Sequence, residues 1–320
     1  MPDMDSADLA PLGRVGMIGA GAVARALSRA LAARGAHVSA IAAPHPESAR
    51  ALVAALPAAA GARAVAAPAD VLAITDLVIL AVPDDALAAL VASLPWRPGY
   101  SAVHLSGAKS AAVLAPAAAR GARTAALHPL MTFPRQPLDA PVAVILERLA
   151  GCVWALDCDD PALAASLTAL VAALDGQVVR LSAADRVPYH LSGVLASNYV
   201  VALIGAAVRL WTDSLGVAPD EALRALLPLL RASVESLATH GLPDALTGPL
   251  ARGDSGTVAA HLAWLDAHAA GDPQVDALRD AYRALGRLAL PLASAKGTLP
   301  LAAADALRAL LDAPPRQDGP

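Results

Sequence analysis

The stretch Arg14–Ala24, RVGMIGAGAVA, decides the fold. Arg14–Ala20 reads as a buried strand, and Ala22–Arg34 as a helix closed by Gly35. Between them, Gly19-Ala20-Gly21-Ala22-Val23-Ala24 fits G-x-G-x-x-A at a strand-to-helix turn, the setting that motif requires. Gly19 permits the tight turn, Gly21 admits a pyrophosphate close to the backbone, and Ala24 lets helix pack on strand. The free N–H groups at the helix start then face phosphate oxygens. Gly19, Ala20, Gly21, Ala22 and Val23 are the candidate dinucleotide-binding loop.

Working outward, the alternation continues. Strands are expected at His37–Ala42, near Ala64–Val65, and at Leu77–Val82, Ser101–Ser106 and Thr124–His128, with a helix from about Glu47. Short β-branched runs between helical segments argue for an α/β, Rossmann-like parallel sheet with helices on both faces. Cys152–Leu156, a helix at Pro161–Leu174 and Gln177–Leu181 extend that sheet at its far edge. Beyond Ala183 only helices are expected: 183–213, 220–240, 255–268, 276–290 and 301–311. The chain therefore divides into a disordered lead-in (1–12), a dinucleotide-binding Rossmann-like domain (13–182) and an all-α domain (183–320). No internal repeat is present.

Composition narrows the class. Of 320 residues 57% are hydrophobic and 16% charged, which excludes global disorder. Net charge is −4, so no basic field argues for nucleic acid. Two cysteines cannot make a disulfide scaffold, and no Cys/His spacing resembles a metal site. The start, MPDMDSADLAPLG, is polar and acidic without an apolar core, unlike a signal peptide, so a cytoplasmic location is expected. Leu191–Val208 carries no charge, but Ser192, Ser197, Asn198, Gly193 and Gly205 interrupt it. It reads as a buried helix at a domain or subunit interface rather than a membrane span.

The type of dinucleotide turns on the second strand. NAD sites place an acid at its end. Here it ends Ala40-Ile41-Ala42-Ala43, followed by His45, Ser48 and Arg50, which suit a 2′-phosphate. NADP is expected, with NAD as the alternative. The other loops at the sheet's carboxyl edge are Val82-Pro83 and Ser106-Gly107, both cofactor candidates.

The segments GAGAVA (19–24), LVILAVPDDAL (77–87), HLSGA (104–108), LHPLMTF (127–133), YHLSGVLASNYVVAL (189–203) and LTGPLARGDSGTVAAHL (246–262) carry a resemblance. They are similar to bacterial proteins with a Rossmann-like domain followed by a helical domain of unknown function, relatives of pyrroline-5-carboxylate reductase and the β-hydroxyacid dehydrogenases. The resemblance implies a nicotinamide-dependent reductase fold, a small-molecule substrate and a homodimer through the C-terminal helices. It does not supply a substrate.

Site candidates follow. At about 100° per residue, His190, Val194 and Ser197 share a helix face, with Asn198 close by. His190 is the proton-transfer candidate and Asn198 would orient a substrate carbonyl or the nicotinamide amide. The bland alternative for His190 is a bond to a backbone carbonyl. β-Hydroxyacid dehydrogenases carry a Lys on this helix, but only Lys109 and Lys296 occur here, which favours C=N or C=O reduction. Ser197, His128, Thr247 and Arg252 are substrate-binding candidates, Arg252 as a carboxylate clamp within a polar loop at 247–254. The same loop reads equally as helix capping by Asp254 or Ser255. His104, mid-strand, reads as a satisfied core residue. A non-catalytic NADP(H) sensor is the rival class. A hydrolase, suggested by S-x-x-K at Ser106–Lys109, leaves the glycine loop unexplained.

Overall fold

A computed structural model describes residue 9 and residues 12–314. Most of the expected lead-in lies outside the described residues. Leu9 and Leu12 are an exception to the expectation: both aliphatic side chains are buried in the core beside the sheet. The chain forms two compact units, Met1–Tyr199 and Val200–Pro320.

The first unit is an eight-stranded sheet in the order β3-β2-β1-β4-β5-β6-β7-β8. Its strands are β1 Arg14–Ile18, β2 His37–Ala42, β3 Arg63–Ala64, β4 Leu77–Leu80, β5 Ser101–His104, β6 Arg123–Pro129, β7 Val153–Asp157 and β8 Gln177–Arg180. From β3 to β6 the pairing is parallel. β7 joins β6 antiparallel, a departure from the all-parallel expectation, and β8 then runs parallel to β7. The crossover from β6 to β7 contains α6, Val142–Leu149, a helix that was not among the elements expected from the sequence.

Helices α1 (Ala22–Ala33), α2 (Pro46–Ala54), α3 (Pro68–Ile74), α4 (Asp84–Ser93), α5 (Ala115–Ala118) and α7 (Pro161–Ala173) complete the layers. One core gathers Leu27, Leu31, Trp154 and Leu167, and a second gathers Val71, Leu72, Leu87 and Val91. Two cores on a single sheet are what helices on both faces produce. Both are built largely from Ala, Leu and Val, in keeping with only 3% aromatic residues.

Helix α8, Arg186–Ala196, closes the first unit. The sheet ends near residue 182, but the compact unit extends 17 residues further because α8 is anchored to the sheet. Arg186 is buried, and its guanidinium donates to Ser106 O (3.2 Å) and Ala126 O (3.3 Å). The helix expected to run unbroken from 183 stops at Ser197, whose backbone leaves the helical region (φ −128°, ψ −73°).

The second unit begins within α9, Asn198–Leu215, and continues with α10 Pro219–His240, α11 Gly248–Arg252, α12 Ser255–Ala269, α13 Pro273–Ala295 and α14 Leu301–Asp312. Val258, Leu262, Leu290, Leu307 and Leu311 form its core. Arg283 sits beneath the end of α14 and donates to Leu310 O (3.0 Å) and Ala313 O (2.6 Å), capping carbonyls that lack helical partners. Helix α9 has no buried residue and α10 only Ala222. The expectation of a buried helix over 191–208 therefore fails for the single chain. By length and composition alone, the helical stretch Ala183–Leu215 is long and apolar enough to cross a membrane, with a mean hydropathy of 1.8 over an 18-residue window within it.

Candidate active site

The loop after β1 opens at the switch point of the sheet, where β1 has β2 on one side and β4 on the other. In doubly wound sheets ligands bind in the crevice at that point. Gly19 has φ +119°, and a Cβ there would lie 2.2 Å from Ala81 O, so no other residue fits. Gly19 N–H donates to Ala42 O at 2.8 Å, tying the turn to β2. Gly21 is the N-cap of α1 and makes no side-chain cap bond. A Cβ on Gly21 would meet nothing within 4 Å. The helix start thus presents unpartnered N–H groups to open space, the donor set a diphosphate requires. Ala24 is fully buried, as close helix–strand packing demands.

Around this loop stand the other cofactor candidates. Val82 and Pro83 follow β4 and lead into α4. His45 is the exposed N-cap of α2 and lies 3.8 Å from Glu47. Ser48 N–H donates to His45 O, and Arg50 on the same helix is exposed. No acid ends β2.

The turn after β5 is held rigidly. His104 is fully buried, its Nε2 3.1 Å from Ser110 O and its Nδ1 accepting from Ser106 N–H at 3.2 Å. It is the satisfied core residue the sequence suggested. Burial pushes its pKa down to about 4. Lys109 N–H donates to Ser106 Oγ at 3.0 Å.

Gly107 joins this turn to a cluster of imidazoles. A Cβ there would lie 2.6 Å from His190 Cδ2 and 2.9 Å from His128 Nε2. His128, near the end of β6, has Nδ1 3.0 Å from Tyr189 Oη, and the two rings meet edge to face. His128 and His190 lie with ring centroids 6.2 Å apart. Burial, with help from neighbouring His190 and Arg186, drives His128 down to about 4, so it is neutral near pH 7. Burial pushes Tyr189 up to about 12, so its hydroxyl keeps its proton. The Tyr189 hydroxyl also donates to His128 O at 3.4 Å, so it holds the ring from the Nδ1 side and leaves Nε2 facing Gly107.

His128, His190, Ser197 and Asn198 line one cavity of about 630 Å³, together with Leu130, Met131 and Thr132. The helical-wheel argument assumed an unbroken helix. The break at Ser197 invalidates its angles, yet the four side chains still share the cavity. His190 is exposed and makes no backbone bond among the described residues. Two participants, Tyr189 and Arg186, were not among the site candidates read from the sequence. Both act through partners 60 or more residues away, which local spacing does not reveal.

Thr247 and Arg252 belong to the second unit. The expected polar loop holds two helical starts, of which only the second has a side-chain cap. Thr247 is the N-cap of α11, Arg252 is its exposed last residue, and Gly253 ends it at φ +75°. Asp254 caps α12, accepting from Thr257 N–H at 2.9 Å. Lys296 Nζ donates to Leu246 O (2.8 Å) and Asp244 O (3.1 Å), holding the preceding segment.

Fold and site define a Rossmann-type domain with a polar, histidine-bearing cavity, followed by a helical domain. Family models agree: residues 1–129 match the Rossmann-like domain, and residues 152–289 match the domain of unknown function DUF2520. A proposed NADP oxidoreductase from Bacteroides fragilis superposes with a TM-score of 0.68 at 23% identity, covering 88% of this chain and 99% of its own. A reductive aminase from Aspergillus terreus, solved with NADPH and ethyl levulinate, gives 0.59 at 20% identity, covering 92% and 98%. The 1-pyrroline-5-carboxylate reductase of Streptococcus pyogenes gives 0.56 at 20% identity, covering 85% and 97%. No curated protein matches the chain.

Proposed function

We propose that the chain is an NADP-dependent oxidoreductase, with NAD as the weaker cofactor, acting on a C=N or C=O carbon of a small, carboxylate-bearing substrate. The observation that carries this reading is Gly107. It lies in the turn after β5 at the sheet's carboxyl edge, a candidate cofactor loop, and a Cβ on it would fall within 2.9 Å of both imidazoles of the cavity. Gly19 to Val23 would hold the diphosphate, with Val82, Pro83, Ser106 and Gly107 alongside, and His45, Ser48 and Arg50 would take the 2′-phosphate. The bound nicotinamide supplies the hydride.

The chain's own residues do the rest. His190, exposed to the cavity, delivers or removes the proton as nitrogen or oxygen gains or loses charge. Neutral His128, held by Tyr189, presents Nε2 as a fixed hydrogen-bonding group. Asn198 orients the substrate or the nicotinamide amide, and Ser197 adds a hydrogen bond. A protonated imine is already electrophilic, which fits a helix without a lysine. Thr247 and Arg252 are retained as carboxylate-binding candidates of the helical domain.

The apolar, uncovered α9 and α10 support a homodimer formed through the helical domain. Val201 is 73% and Leu229 68% exposed, the kind of open apolar side chain that an interface between copies covers. The polar interruptions at Ser192, Ser197 and Asn198 favour that cover over lipid, in keeping with a cytoplasmic enzyme.

The test is turnover. The protein with NADPH should consume cofactor against some member of a panel of cyclic imines and 2-oxo acids, and His190→Ala should lower kcat about 100-fold or more. A sensor would bind NADPH without consuming it. Unaltered turnover in His190→Ala would remove the proton-transfer assignment.

A further inference from the structure

Arg25 and Arg29 on α1 and Arg148 on α6 converge on one small cleft beneath the chain that follows β6, with Phe133, Gln136 and Leu138 completing its wall. The cleft holds about 20 Å³, room for one water-sized group at its depth. Arg29 is only 8% exposed. Arg25 Nε donates to Ala20 O at 2.9 Å, Arg29 to Ala140 O, and Arg148 to Thr132 O at 3.4 Å. Among the described residues no carboxylate pairs with any of the three, and none lines the cleft. Two buried polar atoms there have no partner: Arg148 Nε, a donor, and Gln136 Oε1, an acceptor.

Clustered guanidiniums without counter-charge are costly to bury, and orphaned polar atoms call for a ligand. The two orphans differ in kind, which narrows the ligand. It must accept from Arg148 Nε and donate to Gln136 Oε1. A halide or sulfate ion at neutral pH can only accept. A water molecule does both but leaves the charge unanswered. We propose that this cleft is a binding site for hydrogen phosphate: the P–OH enters the depth and donates to Gln136, one oxygen accepts from Arg148, and the others face Arg25 and Arg29. The site adjoins the dinucleotide loop, since Ala22 lines the cleft and Arg25 bonds the carbonyl of Ala20. Gln136 and Arg148 lie outside that loop, so variants at these two positions separate phosphate held here from phosphate held at the helix start. It adjoins the histidine cavity, because Arg148 bonds the carbonyl of Thr132, which lines that cavity. Phosphate binding would therefore fix one wall of the candidate active site.

The test is calorimetric titration of the full chain with inorganic phosphate, with sulfate and chloride at matched ionic strength, alongside thermal unfolding. Phosphate should bind saturably and raise Tm, and sulfate and chloride should do neither. Arg148→Met should weaken phosphate binding about tenfold or more, the effect of losing a charged hydrogen bond. Gln136→Glu is the second variant and is nearly isosteric. Its carboxylate supplies the missing negative charge, so Tm should rise without phosphate and phosphate binding should disappear. Equal effects from all three anions would reduce the cleft to charge screening and overturn the proposal. So would wild-type phosphate affinity in both variants, or a Gln136→Glu protein less stable than wild type.

Discussion

The sheet unit covers its apolar residues and the helical unit does not. Along β1 and β4, Val15, Met17, Ile18 and Leu77–Leu80 are at most 2% exposed. Along α9, whose residues 200–208 carry no charge, no residue is buried. The contrast is one of closure. A doubly wound sheet answers every apolar strand with helices from the same chain, so its hydropathy is spent within one fold. Among the described residues nothing covers the exposed apolar side chains of α9 and α10, such as Val201 and Leu229.

The largest effect that sharpens this contrast is expected at Gly19. Gly19→Val combines a left-handed φ with a Cβ 2.2 Å from Ala81 O. It should cost about 4 kcal/mol or more and unfold the sheet unit in mild urea, followed by far-ultraviolet circular dichroism. A wild-type unfolding midpoint would mean that the turn is not as described.

Next is Arg186→Met, which removes two hydrogen bonds, one to the turn after β5 and one to the middle of β6. Leaving those carbonyls bare should cost about 2–3 kcal/mol. Hydrogen exchange should loosen first in α8 and in the Ser106–Lys109 turn. Uniform loosening across the sheet would argue against a local clamp.

The third is pH dependence. His104 and His128 have pKa values of about 4 in the folded chain against an ordinary 6.5. The unfolded chain therefore binds more protons in that window. Stability is full above pH 6.5 and falls as the pH drops towards 4, by a few kcal/mol at most. Urea midpoints across this range check the slope, and His104→Gln should remove part of it. A flat profile would contradict the buried imidazoles.

The smallest effect on folding is expected on α9. Val201→Asp should change stability by less than about 0.5 kcal/mol, since nothing covers Val201 within the chain. The same change should halve the mass measured by light scattering, if a second copy covers α9. An unchanged mass would break the dimer half of the comparison.

What was legible in the sequence follows the same division. The β1 turn was readable because strand, glycines and helix lie within eleven residues, and each is demanded by local geometry. The histidine cavity was half readable. His128 and His190 were named, but Tyr189 and Arg186 work through partners distant in sequence, which no helical wheel brings together. The break at Ser197 was hidden, because Ser and Asn are tolerated in a helix as well as at its end. At 247–254 the glycines and Asp254 were weighed both as a ligand loop and as caps. The capping bonds of Asp254 to Thr257 show the second role filled. The antiparallel β7 carried no signal, since strand direction is set by the crossover and not by the strand's own residues.

The account stands most directly on nucleotide binding. Purified protein and its Gly21→Asp variant would be titrated with NADPH and NADH, followed by nicotinamide fluorescence. Aspartate is a good N-cap, so the variant should fold, while its charge repels a diphosphate at the helix start. The account predicts saturable NADPH binding, weaker NADH binding, and loss of both in the variant. Absence of binding by either nucleotide, or binding unchanged in Gly21→Asp, would contradict it.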